Sequence, residues 1–114
     1  MYFSSPKLSL LSAAVLLVSS VMADLHDSCT CHNGDSYNWR MTTAACTVYD
    51  EAKYQWGGTY YNSTTGRCTQ RASEDQLGGN EWEDACKRIA STGFQCADGV
   101  GTCFANTEDI KGWC

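Results

Sequence analysis

The sequence contains very little proline and histidine, with one proline and two histidines in 114 residues. It also has no internal repeat and no low-complexity tract, so nothing marks a linker between domains. Basic residues are in the minority, because eight lysines and arginines face thirteen acidic residues and the formal net charge is −5. An acidic surface argues against binding to nucleic acid or to anionic lipid, since both require clustered lysine and arginine. These absences favour one small acidic domain.

The first 23 residues have the pattern of a secretory signal. Lys7 precedes an apolar run from Leu8 to Val18, and Val21 and Ala23 place small side chains at the positions that signal peptidase reads. The apolar run is about half of the ~20 residues needed to span a bilayer, and no second run follows it. We therefore expect residues 1–23 to be removed, residues 24–114 to form the secreted domain, and no membrane anchor to remain. Loss of Lys7 takes the net charge from −5 to −6.

Cysteine is unusually frequent, and all eight cysteines lie in residues 24–114. This density is typical of small secreted domains held by disulfides, which persist in the oxidising compartment that the signal implies. Four disulfides at roughly 2–4 kcal/mol each would be comparable to the whole net stability of a typical domain. The pairing cannot be deduced from the spacing. The predicted disulfide cysteines are Cys29, Cys31, Cys46, Cys68, Cys86, Cys96, Cys103 and Cys114.

The segment Asp27–Asn33 is predicted to be a core strand bounded by turn-forming residues. Cys29 and Cys31 are two positions apart, so on a strand both point to one face and cannot easily bond to each other. We expect each of them to reach a different element packed on that face, namely the two predicted helices that carry Cys46 and Cys86.

The first helix is predicted over Thr42–Gln55, where apolar residues recur at helical spacing and neither glycine nor proline occurs. Thr42 or Thr43 would be the N-cap, and Gly57 and Gly58 would end the helix. A hairpin is expected next, formed by residues 59–61 and 67–69 around the turn-forming segment 62–66.

The second helix is predicted over Asn80–Gly93. Asn80 would cap it, Glu83 would reach back as in a capping box, and Gly93 would end it. Two i,i+4 ion pairs are expected on its outer face, Glu83 with Lys87 and Asp84 with Arg88. The segment Phe94–Phe104 then contains the turn former Asp98-Gly99 and is expected to be a strand that turns back on itself.

The predicted order is strand, helix, strand, strand, helix, strand. This is the order of the split βαβ or ferredoxin-like plan, in which two helices pack on one face of a four-stranded antiparallel sheet. The expected fold class is thus a small disulfide-rich α+β sandwich.

Candidate catalytic and metal-binding residues are few. His26, Cys29, Cys31 and His32 have ligand types that suit zinc, but structural cystines beside surface histidines fit an oxidising compartment better. No G-x-S-x-G or H-E-x-x-H motif is present. We expect no catalytic residue, no metal and no other cofactor, and no enzymatic activity.

Carboxylates could supply a glycosidase pair, although a solvated surface accounts for them better. They are Asp50, Glu51, Glu74, Asp75, Glu81, Glu83 and Asp84.

Aromatic residues in or near loops are the best candidates for a binding surface. Planar rings stack on sugars and anchor protein contacts, which makes Trp56, Tyr60 and Tyr61 a candidate binding surface. In a domain this small, core or half-buried packing is the favoured role for such aromatics, and the binding surface is the alternative. Trp39 and Trp113 belong to the same group of loop aromatics. Asn62 begins an Asn-Ser-Thr sequon in a predicted turn and is expected to carry an N-linked glycan.

The chain resembles the small secreted cysteine-rich proteins of plant-associated fungi. The similarity rests on the signal, the opening Cys-x-Cys of Cys29 and Cys31, the T-x-x-C of residues 43–46 and the W-x-x-x-C of residues 82–86. This group includes the biotrophy-associated secreted effectors, and some members share the α/β fold of the KP6-type killer toxins.

The resemblance implies a non-enzymatic effector, secreted by a fungus, that binds a host component during colonisation of a plant. Its partner would be a host protein or a cell-wall glycan, met in the apoplast or at the host–fungus interface. We expect a monomer. The alternatives are a killer-toxin-like antimicrobial protein and a module that binds chitin or another glycan.

Overall fold

A computed structural model describes residues 24–114, so the predicted signal lies outside the described residues. These residues form a small α+β domain with two helices, antiparallel sheets and four disulfides. The helices are α1 (Trp39–Glu51) and α2 (Gly79–Thr92), and a 3-10 turn covers Thr107–Asp109. The strands are β1 (Leu25–His26), β2 (Ser28–Asn33), β3 (Ser36–Tyr37), β4 (Thr59–Asn62), β5 (Arg67–Gln70), β6 (Leu77–Gly78), β7 (Phe94–Gln95), β8 (Thr102–Cys103) and β9 (Ile110–Trp113).

Strand β2 is the centre of the main sheet. One side of β2 pairs with β5 and, further along, with the short strand β3; the other side pairs with β9. Strand β4 follows β5 at the edge, and every pairing is antiparallel. The sheet therefore has five strands, of which β2, β4 and β5 match predicted strands. The prediction for the fourth strand is wrong, because residues 94–104 form the ribbon of β7 and β8 outside this sheet and β9, near the C-terminus, takes the place beside β2. Two ribbons, β1 with β6 and β7 with β8, lie outside the main sheet.

Both helices lie on the face of the sheet that carries the cysteines. Cys29 and Cys31 share a face of β2, and Cys68 stands opposite Cys29 across the pairing with β5. Cys31 is bonded to Cys86 of α2, and Cys68 is bonded to Cys46 of α1. All five sulfurs therefore lie between the sheet and the helices, where their residues are 0–3% exposed.

One of the two predicted links from β2 to a helix is confirmed, and the other is wrong. Cys31 does reach α2, but Cys29 is bonded to Cys114 and not to α1. The antiparallel register explains this result, because Thr30 lies opposite Trp113 and the next pair along is Cys29 with Cys114.

The core is centred on Trp82 of α2, which is fully buried. Its Nε1–H donates a hydrogen bond to the Thr30 carbonyl oxygen at 2.8 Å, so the indole is tied to β2. A Cβ added at Gly112 would lie 2.7 Å from Trp82 Cδ1. Glycine at that position lets α2 approach β9 closely.

The prediction for the start of α1 is wrong. The helix begins at Trp39, and the Asn38 side chain caps it by accepting a hydrogen bond from the Met41 N–H at 3.0 Å. Thr42 lies inside the helix and is fully buried, and its hydroxyl accepts a hydrogen bond from the Cys31 N–H at 2.9 Å. The helix ends before the predicted Gln55 because Lys53 has a left-handed φ of 57° that does not continue a helix.

The prediction for α2 is right in its extent and wrong in its capping. The helix ends at Thr92 with Gly93 as the C-cap, as expected, but Gly78 is the N-cap, and no side chain caps that end. Glu83 instead accepts a hydrogen bond from the Gly112 N–H at 3.0 Å.

The ion pair between Glu83 and Lys87 is present at 3.6 Å. Within residues 24–114, Asp84 and Arg88 form no ion pair. The hairpins formed by β4 with β5 and by β7 with β8 are confirmed, and Cys96 bonded to Cys103 closes the second one.

The disulfides should differ in what they contribute to stability. Cys31 and Cys86 are 55 positions apart, whereas Cys96 and Cys103 are 7 apart. Loop-closure entropy predicts that replacing the first pair by alanine lowers the free energy of unfolding by about 4 kcal/mol, and replacing the second by about 2 kcal/mol. Urea unfolding of both double variants measures this. Equal losses would contradict the central role of the bond between β2 and α2.

Candidate functional site

The face of the main sheet opposite the helices carries the candidate site. Because Cys29 and Cys31 face the helices, Thr30 and His32 point to this open face. On the neighbouring strand β9, Trp113 lies opposite Thr30, and Lys111 lies opposite His32.

Three rings form a continuous row, which we call the aromatic row: Tyr37, His32 and Trp113. The rings of His32 and Trp113 are stacked, with centroids 3.9 Å apart and planes 11° apart. Tyr37 meets His32 edge-on at 5.8 Å. Trp113 is 47% exposed and Tyr37 is 43% exposed, whereas His32 between them is only 8% exposed. In the aromatic row, two exposed rings thus lie on either side of the buried His32.

The His32 side chain is held in place by Thr30 of the same strand. Its Nε2 lies 3.1 Å from the Thr30 hydroxyl, which in turn donates to the Trp113 carbonyl oxygen at 3.4 Å. Its Nδ1 is buried and has no hydrogen-bond partner among the described residues. The stack with His32 covers one side of the Trp113 ring, so the orientation of the indole is set by the sheet.

Tyr37 is also fixed, through its hydroxyl group. The hydroxyl donates to the Gly66 carbonyl oxygen at 2.6 Å and lies 3.3 Å from the Tyr61 hydroxyl. Burial, followed by the hydrogen bond with Tyr61, raises the pKa of Tyr37 to about 12. Tyr37 is therefore a neutral hydrogen-bond donor at any physiological pH.

The predicted surface of Trp56, Tyr60 and Tyr61 is distributed over different faces. Tyr60 and Tyr61 are neighbours on β4 and point to opposite faces of the sheet, with Tyr60 44% exposed. Tyr61 packs against the core, and Trp56 stacks on Tyr54 at 5.9 Å. The sequence could not show the aromatic row itself, because its members lie on three different strands and meet only through the pairing of β2 with β3 and β9.

Asn62, the predicted glycosylation site, ends β4 at the turn. Its side-chain oxygen accepts hydrogen bonds from the N–H groups of Thr64 and Thr65, and its Nδ2 donates to the Tyr60 hydroxyl at 3.4 Å. Its glycosylation stays a prediction.

A second feature is a cleft of about 460 Å³ beside the end of α1, which we call the helix-end cleft. Asp50 Oδ2 forms an ion pair with Arg71 Nη2 at 3.0 Å. Asp50 Oδ1 accepts a hydrogen bond from the Thr59 N–H at 3.0 Å, and Arg71 Nη2 donates to the Thr59 carbonyl oxygen at 2.7 Å. The residues lining the cleft are Asp50, Lys53, Tyr54, Gly57, Gly58 and Arg71.

Two carboxylates that the sequence placed on a solvated surface instead bond to the outer strands of the main sheet. Asp50 of α1 accepts from Thr59 on β4, and Glu83 of α2 accepts from Gly112 on β9. Each carboxylate accepts a hydrogen bond from an N–H group on an outer strand that has no strand beyond it. That outer strand is then less able to pair with a strand of another chain.

The residues considered for zinc are not arranged to bind it together. Cys29 and Cys31 are in disulfides, His26 pairs with Asp24 at 3.0 Å, and His32 is stacked in the aromatic row. Within residues 24–114, no three histidine, cysteine or acidic side chains are grouped so that they could hold a metal ion.

Comparison of the chain with protein-family models, curated proteins and solved structures gave no match. In the described part of the chain, no helix is both long enough and apolar enough to cross a membrane. Function is therefore inferred from the geometry of these residues.

The contacts of Asp50 predict a dependence of stability on pH. The hydrogen bond from the Thr59 N–H, with a further contribution from Arg71, lowers the pKa of Asp50 in the folded protein. Its stabilising effect is complete above its pKa in the unfolded chain and is lost as the pH falls through its pKa in the folded protein. The gap in stability between wild type and Asp50→Asn should therefore be largest near neutral pH and should shrink below about pH 4.

Urea unfolding from pH 7 to pH 2 measures this gap, and Glu51→Gln, which removes the neighbouring carboxylate, is the matched control. A gap that is constant with pH would contradict the role given to Asp50.

Proposed function

We propose that residues 24–114 form a secreted effector of a plant-colonising fungus, which binds a host component through the aromatic row and catalyses no reaction. The row of Tyr37, His32 and Trp113 carries this proposal. The partner is a host protein or a cell-wall glycan, and the domain acts as a monomer outside the fungal cell.

Secretion is supported by the cysteine chemistry. All eight cysteines are paired, and no free cysteine is present in the described residues. Four disulfides in a small domain are consistent with an extracellular protein, because reducing compartments do not maintain such bonds.

Binding is supported by the composition of the open face. Tryptophan and tyrosine dominate the energetics of protein contacts, and the same rings stack on sugars. Trp113 loses little conformational entropy on binding, since the stack with His32 already holds it. A rigid ring that is about half exposed suits an anchor residue.

We further propose that the domain follows the split βαβ plan. When β3 and the two ribbons are set aside, the strands are ordered β9, β2, β5, β4, with α1 between β2 and β4 in the chain and α2 between β5 and β9. This interleaving of two βαβ units supports the plan expected from the sequence and is compatible with a killer-toxin-like fold.

The aromatic row can be tested with matched tryptophans. Trp113 is 47% exposed and Trp39, outside the row, is 46% exposed. We expect Trp113→Ala to reduce retention of the labelled domain on host material by about 30-fold or more, because loss of an anchor costs about 2 kcal/mol. Trp39→Ala should be retained like wild type.

Retention is measured on soluble extracellular host protein, on insoluble host wall and on chitin, with circular dichroism as the check of folding. Binding to chitin alone would favour the glycan-binding alternative. Equal retention of folded Trp113→Ala and wild type would show that the row is not the contact surface.

The effector role predicts regulated production. We expect the transcript and the secreted protein to rise strongly when the producing organism meets a living host, relative to growth alone. Messenger RNA abundance and quantitative mass spectrometry of the culture fluid measure this. Equal production in both conditions would argue for a toxin or a constitutive wall protein.

A further inference from the structure

The helix-end cleft has features that the fold does not require. Lys53 follows the C-cap of α1 and has a φ of 57°. Glycine or asparagine is usual at this position, because the left-handed conformation strains most residues that carry a Cβ. Strain of this kind concentrates at functional sites. At Lys53 the chain keeps a long cationic side chain where a glycine would be more stable.

Gly58 gives the cleft its second unusual feature. It does not have a left-handed φ, so its backbone conformation would accept another residue. A Cβ at Gly58 would lie 2.8 Å from Arg71 Nε and 3.1 Å from Asp50 Oδ1. Glycine here leaves the guanidinium edge of Arg71 open towards the cleft.

The hydrogen-bonding capacity of the cleft is only partly used. Arg71 bonds to Asp50 and to Thr59 through Nη2 alone, and its side chain is 57% exposed. Among residues 24–114, Lys53 forms no ion pair, although its charge is near enough to contribute to the lowered pKa of Asp50. Lys53 and Arg71 therefore have unused hydrogen-bond donors, whereas both carboxylate oxygens of Asp50 already accept one.

An aromatic ring lies beside these donors. Tyr54 lines the cleft, and the centroid of its ring lies 4.8 Å from that of Tyr49 and 5.9 Å from that of Trp56. A fixed ring next to charged hydrogen-bonding groups suits a sugar, whose C–H face packs on the ring while its polar groups meet the donors. The volume of about 460 Å³ is in the range of small-molecule sites.

We propose that the helix-end cleft binds a uronate, that is, a sugar unit carrying a carboxylate, as part of an acidic polysaccharide. Arg71 and Lys53 bind the carboxylate, and Tyr54 packs on the sugar ring. Planar guanidinium groups pair well with carboxylates, which distinguishes a uronate from a neutral sugar. This site is separate from the aromatic row, so it can fail while the proposed function holds.

The test uses NMR titration of the ¹⁵N-labelled domain with a galacturonate trisaccharide. We expect saturable shifts of the Gly57 and Gly58 amides, and binding at least 10-fold tighter than for the methyl-esterified trisaccharide. Lys53→Gly should weaken this binding at least 10-fold while its thermal midpoint equals or exceeds that of wild type. Lys111→Gln, which removes an exposed lysine at the opposite edge of the sheet, should bind like wild type.

Each other outcome overturns the proposal. Equal binding of the acid and its ester would assign the cleft to neutral sugars, and equal shifts with inorganic phosphate would make it a general anion site. No shift of Gly57 or Gly58 at 10 mM trisaccharide, or full binding by folded Lys53→Gly, would remove the uronate site altogether.

Discussion

The fold depends on the two disulfides that attach strand β2 to other elements on the helix-facing side of the sheet. Cys31 bonds to Cys86 of α2, and Cys29 bonds to Cys114 beyond the end of β9. The N–H of Cys31 also bonds to the buried hydroxyl of Thr42 in α1. One short strand thereby connects both helices and the C-terminal strand. A domain of this size is only marginally stable without such links, because shorter chains bury a smaller fraction of their surface on folding.

This arrangement also determines what the other side of β2 can do. Since residues alternate between faces, fixing the two cysteines towards the helices directs Thr30 and His32 outward. The pairing with β9 then sets Trp113 against His32, and the pairing with β3 brings Tyr37 to the same histidine. The two exposed rings thus flank the most constrained strand of the molecule, which carries the buried His32 between them. If the row is the contact surface proposed above, it is preorganised, which lowers the entropy lost on binding.

The sequence predicted local features better than contacts between distant segments. The period of apolar residues and Gly93 located α2, and the turn residues located both hairpins. The start of α1 was missed because Asn38 precedes Trp39 and Arg40, which lie before the apolar repeat begins. The partner of Cys29 was missed because it follows from the register of β2 with β9, which no local pattern encodes. The aromatic row was missed for the same reason, and the strain at Lys53 is a backbone property that no composition shows.

The most direct test of this account is the disulfide map of residues 24–114 in the folded, oxidised protein. Trypsin under non-reducing conditions should release three disulfide-containing species: residues 24–40 linked to 72–87 and 112–114, residues 41–53 linked to 68–71, and residues 89–111 closed on themselves. Tandem mass spectrometry of the first species should pair Cys29 with Cys114 and Cys31 with Cys86. A link between residues 24–40 and 41–53 would join β2 to α1 through Cys46. That result would contradict the position of β9 beside β2, and with it the aromatic row.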